Sequence, residues 1–229
     1  MLAETMDKEY YEYITKFASA LAKVYAIADF LAKPARNKVV TTTNPRSGSR
    51  ILDVATGTGE LVFAFARKGV DATGIDLSKD MLRIVRKNNK YEKTSFVLAD
   101  AANMPLKENL FDISCISLTL HDMPFIIREK VLRETARTTK PHGIIIIVDY
   151  ALLPQNRILR FLTYHITGLY ETKYYSEFAR SDPKAQLHRV GIEIREEIPT
   201  LFGILRILKC TSILGGLQPV SDESHKYWK

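Results

Sequence analysis

The chain has 229 residues, 46% of them apolar and 26% charged, with a formal net charge of +7. That length suits one compact α/β unit with some decoration and allows a sizeable core. The only two cysteines, Cys115 and Cys210, sit inside apolar runs, which reads as buried thiols in a reducing compartment rather than a disulfide frame or a metal site.

The positive balance could suit nucleic acid or an anionic membrane. Its distribution argues otherwise. Lys79, Arg83, Arg86, Lys87 and Lys90 fall at helical spacing, as do Arg128, Lys130, Arg133, Arg137 and Lys140. Such sets read as the solvated backs of amphipathic helices. Met1 to Tyr11 is acidic and aromatic, unlike a signal peptide. No apolar run reaches the roughly 20 residues of a membrane span, so a cytoplasmic protein is expected.

In chain order, residues 4–32 predict a helix that Pro34 stops. Thr41 to Ser49 reads as a loop. Ile51, Leu52 and Val54 predict a buried strand, followed by a turn on Gly57 and Gly59. Leu61, Val62, Phe65 and Ala66 then recur at helical spacing, with Gly69 as a stop. A strand, a tight glycine turn and a helix start form a cradle for a polar ligand. Val62 stands where a dinucleotide fingerprint needs its third glycine, and Glu60-Leu61 replaces the Lys-Ser or Lys-Thr pair of a P-loop. An acidic residue after the turn fits a ligand that carries positive charge and no phosphate.

Val70 to Asp76 predicts the second strand, with Asp76 at its carboxyl end, where a carboxylate can accept from ribose hydroxyls. Ser78 is better placed than Asp76 to cap the next helix. Ser95 to Leu98 predicts the third strand, ending in Ala99-Asp100-Ala101, and Phe111 to Ser117 the fourth, where Asp112 reads as structural. The turn Leu118 to Pro124 contains His121, and Pro124 opens a helix carrying Ile127, Val131 and Thr135 on one face. Thr138 to Gly143 predicts a turn before a buried central strand, Ile144 to Val148, with Asp149 and Tyr150 at its end. An aromatic stretch from Leu159 to Phe178 predicts helix, Gln186 to Val190 the last helix, and Ile192–Ile198 with Leu201–Cys210 a closing strand pair.

The string LDVATGTGE, with GIDLS after it, resembles the class I S-adenosylmethionine-dependent methyltransferases, with Ala55 where many members carry glycine. SLTLHD is unlike the N-P-P-Y motif of nucleic-acid amine methyltransferases. It resembles the small-molecule enzymes that methylate ubiquinone and menaquinone precursors. The resemblance implies a doubly wound, mostly parallel seven-stranded α/β sheet of Rossmann-like type. It also implies an N-terminal helical lid (1–40), a cofactor core (45–150), a helical substrate-cap insertion (151–190) and closing strands (191–212). The implied cofactor is S-adenosyl-L-methionine, without a metal. Its expected contacts are Tyr25, Asp53, Ala55, Thr56, Gly57, Gly59, Asp76, Leu77, Met81, Asp100, Ala101 and Ser117. Leu77 and Met81 would flank the adenine, and Asp100 would receive its amino group.

The expected reaction transfers a methyl group to a small aromatic or hydrophobic acceptor, in the manner of a quinone precursor. His121 is the candidate base because histidine titrates near neutrality, and it equally suits a role in holding its loop. Arg157 and Arg160 could touch a membrane surface. Nucleic acid is not the expected partner, and a monomer or homodimer is expected. A basic RNA or protein methyltransferase, and a cofactor-binding homologue without turnover, remain the alternatives.

Overall fold

The computed structural model describes the backbone of residues 2–21, 25–151 and 174–213, and the side chains of residues 8–17, 32–151 and 174–213. Seven strands form one sheet: β1 (Arg50–Val54), β2 (Asp71–Asp76), β3 (Thr94–Leu98), β4 (Phe111–Ser117), β5 (Thr139–Tyr150), β6 (Ile192–Thr200) and β7 (Leu205–Ser212). Their order is β3-β2-β1-β4-β5-β7-β6. Strands β1 to β5 run parallel, and β7 lies antiparallel to both β5 and β6. The chain winds outward from β1 to β3 and then crosses back to β4, so the winding direction reverses between β1 and β4. In open α/β sheets the crevice at that reversal, outside the carboxyl ends of the strands, receives ligands.

The helices are α1 (Leu2–Leu21), α2 (Tyr25–Thr43), α3 (Glu60–Ala66), α4 (Lys79–Asn88), α5 (Phe125–Thr138), α6 (Tyr175–Arg180) and α7 (Pro183–Arg189). Strand residues point alternately to the two faces, and both faces are covered, which explains the unbroken run of isoleucines in β5. Ile145 and Ile147 join Leu52, Val54 and Ile116 against Ile127, Val131 and Leu132 of α5. Ile146 and Val148 join Ile51 and Cys115 against Val62 and Phe65 of α3 and Val39 and Val40 of α2. Among the described residues, no helix is long and apolar enough to cross a membrane.

Three expectations are corrected. The first is at Pro34, which lies inside α2 instead of ending the N-terminal helix. A proline within a helix costs about 3 kcal/mol. Burial of Ala35, Val39 and Val40 just beyond it offsets that cost, at about 1.5–3 kcal/mol per large aliphatic side chain. The second correction is at Thr138 to Gly143. The segment from Thr139 is not a turn but the start of β5, whose ladder with β4 slips between Phe111 and Ile113. A Cβ on Gly143 would lie 2.6 Å from Thr139 Cγ2, so only glycine lets the strand fold over itself there.

The third correction concerns Arg128, which does not face solvent. It is 1% exposed, and its guanidinium donates to the carbonyls of Leu120 (3.1 Å) and Met123 (2.9 Å). It also donates to Ser181 Oγ and Gln186 Oε1, each at 3.3 Å, and lies 5.1 Å from the Phe178 ring centroid. One buried cation therefore fastens both ends of the 3-10 turn Leu120–Asp122 to α5, α6 and α7. Arg128→Met keeps the volume but leaves the buried Met123 carbonyl without its guanidinium donor and unties the turn from Ser181 and Gln186. It should lower stability by about 3 kcal/mol, read as the shift of the urea midpoint at constant slope.

Candidate active site

The turn after β1 is held from below and from the side. Asp53 lies on the same face of β1 as Ile51, buried at 3% exposure, and its Oδ2 accepts the Thr56 hydroxyl at 2.6 Å. Thr56 donates its amide to the Ile75 carbonyl at 2.8 Å, which ties the turn to β2. Asp76, at the tip of β2, accepts the Gly57 amide on Oδ2 and the Ser78 amide on Oδ1, each at 2.8 Å. Ser78 in turn caps α4, its Oγ accepting from Met81 N at 3.3 Å. At the tip of β3, Asp100 accepts the Ala102 amide on Oδ1 at 2.8 Å and the Tyr11 hydroxyl on Oδ2 at 2.7 Å.

These elements enclose one cavity. Its wall takes Ala55 and Gly57 from the first turn, Asp76, Leu77 and Met81 from the second, and Asp100 and Ala101 from the third. Ser117, Leu118 and Thr119 close it at the end of β4, and Tyr10, Tyr11 and Ile14 of α1 lie across it. Of the residues the sequence singles out, Ala55, Gly57, Asp76, Leu77, Met81, Asp100, Ala101 and Ser117 thus share one wall. Asp53, Thr56 and Gly59 do not reach it. Asp53 and Thr56 brace the turn from behind, and a Cβ on Gly59 would sit 3.0 Å from Val85, so that glycine serves the packing of α3 on α4. Tyr25 opens α2, and its side chain lies outside the described residues, as do Arg157 and Arg160.

His121 lies in a buried network behind the wall. Its Nδ1 is 2.6 Å from Asp149 Oδ1, and its amide donates to Asp149 Oδ2 at 3.3 Å. Its ring meets Tyr150 edge-on at 4.9 Å between centroids and Phe178 at 6.1 Å. Nε2 is 3.5 Å from Asp122 Oδ2, and it is Asp122 that lines the cavity. Sequence reasoning missed Tyr10, Tyr11 and Asp122. The Tyr10-Tyr11 pair was visible as a signal, but nothing in the spacing placed α1 over the strand tips.

Two main-chain features mark the rim. Ala55 and Leu118, at the ends of β1 and β4, hold φ of 56° and 52°, in the left-handed region that non-glycine residues avoid. Ala55→Gly relieves one of these and should stabilise the fold by about 1 kcal/mol, measured by urea unfolding.

The charges are one-sided. Asp76, Asp100 and Asp122 line the cavity, and among its described lining residues there is no lysine, arginine or histidine. Such a wall repels phosphate and suits a cation. Burial pushes the Asp53 carboxyl up to about 7, with the Thr56 hydroxyl opposing and the charge of Asp76 adding to the rise. Burial likewise raises Asp76 to about 6 against the lowering effect of its Ser78 and Gly57 amide bonds. A carboxyl raised in the folded state holds its proton where the unfolded chain has released it. Stability should therefore fall as pH rises from about 4 to about 7, because only the unfolded chain can release the proton, and level off once the buried Asp53 itself ionises. Asp53→Asn still accepts from Thr56 and carries no charge. It should flatten this slope and be more stable than the parent at pH 8 by on the order of 2 kcal/mol, in urea titrations at several pH values.

The strand order and the reversal between β1 and β4 give a Rossmann-like α/β fold of the kind seen in solved methyltransferases, with the acid-tipped cavity at its ligand crevice. Residues 52–147 match a family model described as a methyltransferase domain. Over 151 residues the chain is 30% identical to the demethylmenaquinone methyltransferase of Paenarthrobacter aurescens, covering 64% of this chain and 58% of that one. It is 33% identical over 118 residues to the ubiquinone/menaquinone biosynthesis C-methyltransferase UbiE of a Ruegeria species, covering 49% and 46%. The chain thus spans about half the length of the curated relatives it matches. A solved S-adenosylmethionine-dependent methyltransferase of Methanosarcina mazei shares the fold, with a TM-score of 0.59 at 18% identity over 76% of this chain and 97% of that one.

The residues present fit S-adenosylmethionine. Asp76 and Asp100 each spend part of their acceptor capacity on protein donors, and an ionised carboxylate offers about four lone-pair sites. The donors of ribose and adenine can meet the remainder, and Leu77 and Met81 supply apolar surface beside them.

Proposed function

We propose that this chain transfers a methyl group from S-adenosylmethionine to a small aromatic or hydrophobic acceptor of the kind a quinone precursor represents. The observation that carries this reading is the convergence of Asp76, Asp100 and the Ala55–Gly57 turn on one cavity that also has an apolar, aromatic wall. Bound S-adenosylmethionine supplies a methyl carbon already activated by its sulfonium. The protein need only bind, orient and keep water out. Asp76 accepts the ribose hydroxyls, Asp100 the adenine amino group, and Leu77 and Met81 flank the base. Helix α1 covers the cavity as a lid, latched by the Tyr11 hydroxyl on Asp100. The acceptor rests against Tyr10, Met123, Ile127 and Val131, an apolar surface that favours a hydrophobic body. The two named relatives act in menaquinone and ubiquinone biosynthesis, which supports an acceptor of that type.

Titration calorimetry with S-adenosylhomocysteine tests the cofactor half of the proposal. The parent chain should bind. Asp76→Ala should bind about 10- to 100-fold more weakly, the usual loss for hydrogen bonds to a charged group. Asp112→Ala should not change affinity, because Asp112 lies at the far end of β4, bonded to Arg50 N and Lys140 Nζ. A parent chain that fails to bind ends the reading.

A further inference from the structure

The β4 end of the cavity holds a carboxylate that the cofactor does not require. Asp122 lines the wall with Tyr10, Met123, Ile127 and Val131, whereas Asp76 and Asp100 stand at the tips of β2 and β3. Asp122 and Tyr10 are close enough to feel each other. Burial and then the charge of Asp122 hold the Tyr10 phenol well above its usual range. His121 is oriented the other way. Asp149 Oδ1 engages its Nδ1 at 2.6 Å, and its Nε2 is turned toward Asp122 Oδ2 at 3.5 Å. A base must come within hydrogen-bonding reach of the proton it removes. On this geometry the carboxylate can do so and the imidazole stands one residue behind it. The turn is rigid as well, since Arg128 grips the carbonyls of Leu120 and Met123 on either side.

We propose that Asp122, and not His121, takes the proton from the methyl acceptor, and that His121, oriented by Asp149 and carrying a proton on each ring nitrogen, is a positioning residue whose Nε2–H holds the Asp122 carboxylate at the cavity wall. The proposal rests on the methyl-transfer reading above. It also narrows the acceptor class to molecules whose nucleophilic atom bears a removable proton, such as a phenol, a quinol or a neutral amine. In the step, the acceptor's O–H or N–H bond breaks and the proton passes to an Asp122 oxygen. The electron pair left on the heteroatom forms the bond to the methyl carbon as the carbon–sulfur bond breaks. The negative charge of the carboxylate and the positive charge of the sulfonium disappear together. The protonated Asp122 returns its proton to solvent when the product leaves.

The test uses the full chain, S-adenosylmethionine labelled with tritium in its methyl group, and two probe acceptors. 2-Naphthol keeps its proton at neutral pH, and thiophenol is largely ionised there. Asp122→Asn should slow transfer to 2-naphthol on the order of 100- to 1000-fold and change transfer to thiophenolate by less than about fivefold. His121→Ala should slow the naphthol reaction by only about tenfold. A large naphthol loss in His121→Ala with Asp122→Asn unimpaired overturns the assignment. So does an equal loss on both probes in Asp122→Asn, which would mean a purely structural role.

A second readout needs no turnover. Carbodiimide coupling of glycine ethyl ester, located by peptide mass spectrometry, should label Asp122 and spare Asp149. 2-Naphthol with S-adenosylhomocysteine should protect Asp122. Labelling of Asp149 with Asp122 untouched overturns the placement. Failure of the parent chain to bind S-adenosylhomocysteine would be a separate result, against methyl transfer itself.

Discussion

Two backbone amides from different turns, those of Gly57 and Ser78, converge on the single carboxylate of Asp76. The rest of the site depends on that junction. It fixes the glycine turn after β1 to the start of α4 and so sets the floor and one side of the cavity. A carboxylate so buried is costly, and its raised pKa of about 6 is the measure of that cost. Two amide donors offset part of it. Asp76 also lines the cavity, and an ionised carboxylate with two amide donors keeps capacity to accept further donors. Asp53 repeats the logic one layer deeper. There the carboxylate braces Thr56 behind the cavity wall, so the same residue type lines the cavity at one strand tip and supports the turn at the next.

Much of this was legible in the sequence because the relevant signals are local. A buried parallel strand reads as an unbroken apolar run, a tight turn needs glycine, and an acid at the end of such a run lies at the ligand-bearing edge of the sheet. Asp76 and Asp100 follow from those facts. The same reasoning stops at Asp53. Period two places it with Ile51 on the α3 face, beneath the turn, and only the strand's orientation in the sheet reveals this. Arg128 shows a different limit. Helical spacing groups Arg128 with other basic residues but does not say which flank of the helix a later segment will cover. Here α6 and α7, more than 45 positions further on, supply Ser181, Gln186 and the Phe178 ring that make an interior guanidinium tolerable. Pro34 is the third kind, a strong local rule overruled because the residues beyond it are buried against α3.

Helix α1, across the cavity, is the part that no local signal could place. Tyr11 reaches Asp100 across 89 positions of sequence. Tyr10 packs edge-on against Tyr174 at 5.7 Å, and Tyr13 meets the same ring at 6.1 Å. Helix α1 is therefore held at one side by a strand-tip carboxylate and at the other by the approach to α6. Its position and that of α6 are coupled through one aromatic ring. Edge-to-face pairs contribute about 0.5–1.5 kcal/mol each beyond area burial. Such contacts are strong enough to orient α1 across the cavity.

Placing the proton acceptor on Asp122 also gives the apolar end of the cavity a physical role. In water, an ion pair made of a carboxylate and a sulfonium is well solvated, and little is gained when both charges vanish. Between Tyr10, Met123, Ile127 and Val131 that solvation is withheld, and the desolvation penalty exceeds what the mutual attraction of the two charges returns. Charge that disperses on the way to the transition state then lowers the energy, instead of forfeiting hydration. The tether from Asp149 through His121 matters for the same reason. It keeps a carboxylate fixed in a place it would otherwise leave for solvent, so that the charge is already in position when the methyl group moves.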